Sequence, residues 1–240
     1  LQNASEKNNA IILGPSEVIL AEGETAAQAA YRALRVDIIR GERHPGEKLR
    51  IEKLKAIYNI GPSPLREALQ MLVADDLVRT EGNRGFTVAE LDFQEFEDLN
   101  IARTAIELAA LRLSIKHGSS EWEAGIVAAG YLLEKQDAAL LETDANVSVS
   151  WESANARFHL ALVAASGSNW LLRVRSGLED QCARYRRASV YQKIGQRNLK
   201  AEHIAIREAT LARDSDLACA LIERHFSITS QGLLKQSLVG

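Results

Sequence analysis

The sequence predicts a mainly α protein: an N-terminal winged helix-turn-helix followed by an antiparallel all-α bundle of about six helices. Three observations carry that reading. The chain is 46% apolar but only 5% aromatic, and its abundant Ala and Leu favour helices over sheets. Gly61-Pro62-Ser63-Pro64-Leu65-Arg66-Glu67-Ala68-Leu69 reads as a turn and a helix opening on two prolines, and the helix stops abruptly at Asp75-Asp76. From Asp92 onward apolar residues recur at a helical period through six long stretches, with no strand pattern among them.

Residues 1–23 are polar with no sustained period and are expected to form a flexible arm. Thr25 is placed to cap a helix running to about Arg40, which Gly41 and His44-Pro45-Gly46 end in a turn. Ile51 to Tyr58 forms a short second helix, and Asn59-Ile60-Gly61 turns into the third. Proline costs nothing in a first turn, where its missing N–H has no partner to lose. Leu65, Leu69, Leu72 and Val73 then share one buried face. Residues 77–80 and 85–88 are strand-like pieces around Glu81-Gly82-Asn83-Arg84, a hairpin that serves as the wing.

The six later stretches are 92–116, 120–142, 147–166, 168–190, 196–212 and 215–235, so the domain boundary falls near Glu90-Leu91 and the two domains are 24–90 and 91–240. Gly118 is placed as a C′ residue, and Ser120 and Asp214 as N-caps. Cys182 and Cys219 lie in helical contexts and read as reduced buried thiols. No apolar run approaches the ~20 residues of a membrane span, and Ala10–Pro15 is too short for a signal segment, so a soluble cytoplasmic protein is expected. Residues 31–90 carry eleven Lys/Arg against nine acids inside a chain of net charge −3. This fits nucleic-acid contact without requiring it.

A recognition helix offers its first turns to the major groove, where phosphate contacts position and base contacts specify. Arg66 is therefore the residue expected to read a guanine or clamp a phosphate, against the bland reading of a surface ion pair. Ser63 is either a DNA contact or a first-turn residue. Asn83 and Arg84 at the wing tip suit a minor-groove or phosphate contact, or simply a turn. Arg35 and Arg50 are weaker DNA-binding candidates.

In the bundle, three of the five histidines sit within apolar-periodic stretches: His159, with Asn155 one turn earlier, then His203 and His225. A lone histidine on such a face is usually a satisfied core residue. Three on separate helices of one bundle leave a metal site about as good a reading, because bundles build such sites from facing helices. Arg103 and Glu107 are an i, i+4 pair that would contribute little if exposed. Arg184, Tyr185 and Arg187 fall on a helix whose buried face the sequence leaves open.

Several motifs together resemble one family. Tyr31-x-x-Leu34-Arg35, Ile38-x-x-Gly41, Pro45-Gly46-x-x-Leu49 and Pro64-Leu65-Arg66-Glu67-Ala68-Leu69 resemble the winged helix of GntR regulators. Arg103-x-x-Ile106-Glu107-x-Ala109-Ala110, Phe158-His159-x-x-Leu162, Glu202-His203-x-x-Ile206 and Asp216-x-x-x-Ala220-x-x-x-x-His225 resemble the effector domain of its FadR subfamily, the FCD domain. The match runs from about residue 25 to 235 in order and spacing. It implies a homodimer on double-stranded operator DNA, with Arg66 as a DNA-contacting arginine. It also implies a divalent metal, zinc or alternatively nickel, on His159, His203 and His225. Asn155 stands where metal-binding relatives carry an Asp. Arg103, Glu107, Arg184 and Tyr185 become candidate contacts for a small organic-acid effector.

Gly61-Pro62-Ser63-Pro64 departs from the usual Ser-Arg-Thr-Pro, so an arginine that often touches DNA is Pro62 here. The function implied is a ligand-responsive transcriptional regulator, a repressor released when the acid binds. A dedicated metal-ion sensor is the alternative. A metal-dependent hydrolase is disfavoured, because there is no His-Glu-x-x-His motif and no evident general base beside His159.

Overall fold

The computed structural model describes residues 16, 18–80, 82, 85–143, 148–189 and 198–237. They form two compact units that divide between Ala89 and Glu90. No described helix is long and apolar enough to cross a membrane.

The first unit begins with α1 (Ala26–Ile39), whose N-cap Thr25 forms a reciprocal capping box with Gln28. Helix α2 (Ile51–Tyr58) ends on Asn59, which adopts the left-handed conformation at φ 52°. That tight exit delivers the chain to Gly61, the N-cap of α3 (Pro62–Ala74). The apolar stripe of α3 behaves as its spacing requires, since Leu65, Leu69 and Leu72 are fully buried. Val73 is only half-buried, and Ala68 takes its place on that face. Strands β1 (Val78–Thr80) and β2 (Phe86–Val88) pair antiparallel, with Val78 opposite Val88. The turn before α2 adds a third edge, because the Leu49 N–H donates to Phe86 O at 2.8 Å and the Val88 N–H donates to Glu47 O at 2.9 Å. The core joins Leu34, Ile38, Leu54, Tyr58, Leu69 and Val88 from all these elements.

One buried charge sits in this unit. Asp37 on α1 is fully buried and accepts from the Tyr58 hydroxyl at 2.5 Å and from the Ser16 N–H at 3.0 Å. Burial first, and then Asp37 itself, pushes the Tyr58 hydroxyl above its ordinary pKa, so it stays a donor. Ser16 and Val18, in the stretch that sequence leaves as an arm, therefore pack on α1. Tyr58→Phe is expected to destabilise this unit by about 1–3 kcal/mol, because it strips a buried carboxylate of a donor. Urea denaturation of the two proteins measures it, and an unchanged midpoint would show that the bond carries no net stability.

The second unit contains α4 (Phe93–His117), α5 (Ser120–Thr143), α6 (Val149–Val163), α7 (Asn169–Ser189), α8 (Leu199–Leu211) and α9 (Ser215–Ser237). Helix α4 packs on α7 and α9, α5 packs on α6 and α8, and α8 packs on α9. Leu111, Ile126, Leu133, Phe158, Leu162, Ile222 and Phe226 fill the space between them. Asp214 caps α9 as expected, accepting the Leu217 N–H at 3.0 Å. Two expected caps are corrected. Ser119, not Ser120, stands before α5 and takes the Trp122 N–H at 3.5 Å. Gly118 is extended (φ −64°, ψ 138°) rather than left-handed. Its glycine has a different cause: a Cβ there would lie 2.0 Å from the Trp122 ring. Trp122 is in turn pinned by its Nε1–H bond to Ala161 O at 2.8 Å.

Candidate functional site

Helix packing brings three histidines from three helices to one point in the bundle. His159 (α6), His203 (α8) and His225 (α9) are all buried, and one ring nitrogen from each lies within 4.8 Å of the others. Their ring centroids are 4.9–5.9 Å apart. Phe158 and Phe226, the neighbours of His159 and His225 in sequence, line the same place. Two carboxylates set the ring orientations. Asp137 on α5 meets His203 Nδ1 at 2.7 Å and is itself held by the Trp151 Nε1–H at 2.8 Å. Glu202 meets His225 Nδ1 at 2.8 Å. A proton on His203 Nδ1 facing Asp137 would leave its Nε2 lone pair as the ligand atom, and that Nε2 is buried without a hydrogen-bond partner.

Several buried polar atoms here have no protein partner: both ring nitrogens of His159, His203 Nε2 and Asn155 Oδ1. Native interiors rarely leave such groups unmet, since each costs on the order of 1–3 kcal/mol. An ion accepting these lone pairs would satisfy them together. The ligand atoms of the three histidines lie within 4.8 Å of one another, close enough for one ion to be shared among them. Burial first, then the charges of His225 and Arg103, depresses the His159 pKa well below its ordinary value and keeps it a neutral donor of lone pairs. The residues present therefore fit a divalent metal.

Beside the triad runs a buried ladder of arginines and glutamates that sequence reasoning missed in part. Arg175 (α7) grips Glu107 (α4) through two bonds of 2.7 and 3.1 Å. Glu179 (α7) lies 2.6 Å from Arg103 Nη2 and 2.7 Å from Arg186 Nη2. Arg186 also reaches Glu152 on α6 at 3.1 Å. Burial raises the Glu179 pKa, but Arg103, Arg186 and Arg175 outweigh it and hold the carboxyl at about 2. Arg103 stacks its guanidinium 3.8 Å over the Phe226 ring, which is 5.5 Å from His159. Arg103 and Glu107 are thus both inward, yet each bonds to α7 rather than to the other.

Arg184 and Tyr185 are placed differently. Tyr185 stacks on Phe96 at 4.7 Å and its hydroxyl accepts the Asp92 N–H at 3.3 Å, while Arg184 donates to Gln181 at 2.8 Å. The stripe of α7 that meets Arg103 is Arg175, Glu179, Cys182 and Arg186, at i, i+4, i+7 and i+11. That helical stripe was a signal in the sequence for the missed residues; for Asp137 and Trp151 there was none.

In the first unit, Ser63 and Arg66 are exposed on the opening turns of α3. Arg50 is exposed at the N-cap of α2, and Arg35 is half-buried on α1. Asn83 and Arg84 lie outside the described residues.

Comparisons with known proteins match both units. Residues 26–88 match the family described as bacterial regulatory proteins, gntR family, and residues 98–227 match the FCD domain. The chain is 37% identical over 210 residues to BphR of Paraburkholderia xenovorans (strain LB400), an uncharacterized HTH-type transcriptional regulator, covering 88% of this chain and 86% of that one. It is likewise 37% identical over 214 residues to the HTH-type transcriptional repressor GlaR of Escherichia coli (strain K12), covering 88% and 96%. The solved structure of E. coli McbR/YncC superposes with a TM-score of 0.75 over 89% of this chain and 99% of that one. At 18% identity that likeness speaks to the fold alone. A winged helix-turn-helix followed by an FCD bundle makes this chain a transcriptional regulator of the GntR family.

Proposed function

We propose that this regulator is a metal-loaded repressor that leaves its operator when a small organic acid binds inside the helical bundle. The observation that carries the reading is the group of buried, unpartnered lone pairs on His159, His203 and Asn155, one ring away from the Arg103 guanidinium. His159, His203 and His225 would hold the ion, zinc or else nickel, with Asn155 as a fourth, neutral oxygen ligand. Such an ion would supply Lewis-acidic positive charge for an anionic oxygen. Arg103 supplies a fixed cation for a carboxylate. The charge on Arg103 and the lack of any carboxylate among the four ligands favour an anion as the signal over metal alone. The relative named a repressor supports the sign of regulation.

A homodimer would set two α3 helices on two half-sites of the operator, with Arg66 and Ser63 at the base edges and backbone. Arg35, Arg50, Asn83 and Arg84 would serve as flanking contacts. The acid would act by preferring the arrangement of helices that does not bind DNA. Arg66→Ala is expected to lower affinity for the promoter fragment upstream of its own gene by about 10- to 100-fold. Gel-shift titration at fixed salt measures this, and full retention would remove Arg66 from the interface.

Asparagine gives the ion only a carbonyl oxygen, so Asn155→Asp is expected to tighten Zn²⁺ binding by about tenfold or more. Competition against a chromophoric chelator reads it out; equal or weaker binding by the variant would show that Asn155 is not a ligand. The decisive experiment is a thermal-shift screen of organic acids with and without Zn²⁺, followed by promoter binding. Release from DNA by metal alone, with no acid effective, would replace this proposal with a metal sensor.

A further inference from the structure

Two arginines of the ladder keep a buried nitrogen without a hydrogen-bond partner, Arg103 at Nε and Arg186 at Nη1, and Arg103 is the one that stacks beside the triad. Arg175 makes two aligned bonds to Glu107, and Arg186 is shared between Glu152 and Glu179. Arg103 touches Glu179 Oε2 at 2.6 Å, yet that oxygen makes no aligned hydrogen bond and Arg103 Nε is buried without an acceptor. Its face lies on Phe226, whose ring stands 5.5 Å from His159 and 5.8 Å from His225. A guanidinium whose buried Nε has no hydrogen-bond partner, next to the triad, is matched to a carboxylate that could take two parallel bonds.

Arg103, Arg175 and Arg186 face Glu107, Glu152 and Glu179, so the buried set is neutral. A carboxylate guest adds one negative charge whether or not Glu179 moves, so an ion on the histidines would have to offset it; the exchange only frees Arg103 to bond the guest. Glu179 can yield Arg103 and still keep a cation, because its other oxygen is on Arg186 at 2.7 Å.

We propose that Glu179 is a built-in competitor for the effector's carboxylate, occupying Arg103 in the unliganded state and passing wholly to Arg186 when an organic acid binds. This rests on the organic-acid reading of the site. It makes Glu179 a setter of effector affinity rather than an effector contact. It also selects for acids that present two carboxylate oxygens in the plane of the Arg103 guanidinium and a second oxygen-bearing group toward the histidines. Such an acid gains at both ends, whereas a simple monocarboxylate gains only the exchange.

The test is calorimetric titration of the Zn²⁺-loaded full chain with acetate, succinate and benzoate, in wild type, E179Q and R103Q. E179Q keeps the shape and removes the competing charge, so the best of these probes is expected to bind about tenfold or more tighter than to wild type. R103Q is expected to lose that binding. A purely structural Glu179 would lower the melting temperature of E179Q without tightening any probe, and that result overturns the proposal while leaving the organic-acid site in place. Unchanged binding in R103Q, or no carboxylate bound by either wild type or E179Q, overturns the organic-acid reading as well. If E179Q does not fold, E179D serves instead: its shorter side chain withdraws from Arg103 but keeps its charge for Arg186. Binding tightened several-fold in E179D supports the exchange, and equal or weaker binding refutes it.

Discussion

Replacing His159 by Ala is expected to lower Zn²⁺ affinity by at least about 100-fold, more than the 10- to 100-fold that loss of an outer partner costs. His159 is fully buried on α6, and neither of its ring nitrogens has a protein partner. His203 and His225 are each pre-oriented by a carboxylate, Asp137 and Glu202. Those two alone leave an incomplete ligand set, so removing the third ring should cost most of the affinity. Trp151 offers a second readout, because its Nε1–H bonds Asp137, which bonds His203. Metal binding should therefore change its fluorescence in wild type and change it little in the variant. Equal Zn²⁺ affinity in the two proteins would dissociate His159 from the site.

The same residue predicts a pH dependence in the metal-stripped protein. Burial, then the nearby charges of His225, Arg103 and His203, keeps the folded-state pKa of His159 well below its ordinary value. The unfolded chain therefore binds a proton that the folded chain refuses, and stability rises with pH wherever that difference exists. The contribution is complete above the unfolded-state value of about 6.5 and is lost as pH falls below it. His159→Gln should flatten this part of the stability profile, measured by urea denaturation from acidic to neutral pH.

What sequence could and could not tell divides along physical lines. The elements were legible because their signals are local: Thr25 and Gln28 make a capping box within four residues, and Pro62 and Pro64 can only open a helix. The histidines were legible because three of them interrupt apolar stripes. Asp137 was not, and Glu179 and Arg186 were missed despite sharing one helical stripe, since an acid or arginine in a helix ordinarily reads as a solvated face. Their burial depends in part on distant partners: Glu152 is 34 residues from Arg186, and Arg103 is 76 from Glu179. Gly118 shows the same limit: its local context fits a left-handed cap, but the reason for glycine is the position of the Trp122 ring.

Glu107→Ala is expected to destabilise the bundle by about 3–5 kcal/mol, the range for stripping one partner from a buried ion pair. Glu107 and Arg175 are both buried, and their two bonds tie α4 to α7. Burial is the larger influence on Glu107: it raises the carboxyl pKa, and the attractions of Arg175 and Arg103 only partly oppose it. A carboxylate whose folded-state pKa is raised loses stability as pH climbs through its unfolded value. Desolvation thus offsets part of what the pair contributes, although either half alone is a liability. The double variant Glu107→Leu/Arg175→Met should accordingly recover most of the loss, because apolar side chains of similar volume carry no desolvation penalty. Urea midpoints of wild type, both single variants and the double variant close the cycle. If the double variant is as unstable as Glu107→Ala, the pair stabilises the bundle outright. If it is as stable as wild type, the Glu107–Arg175 charges are not what holds α4 and α7 together.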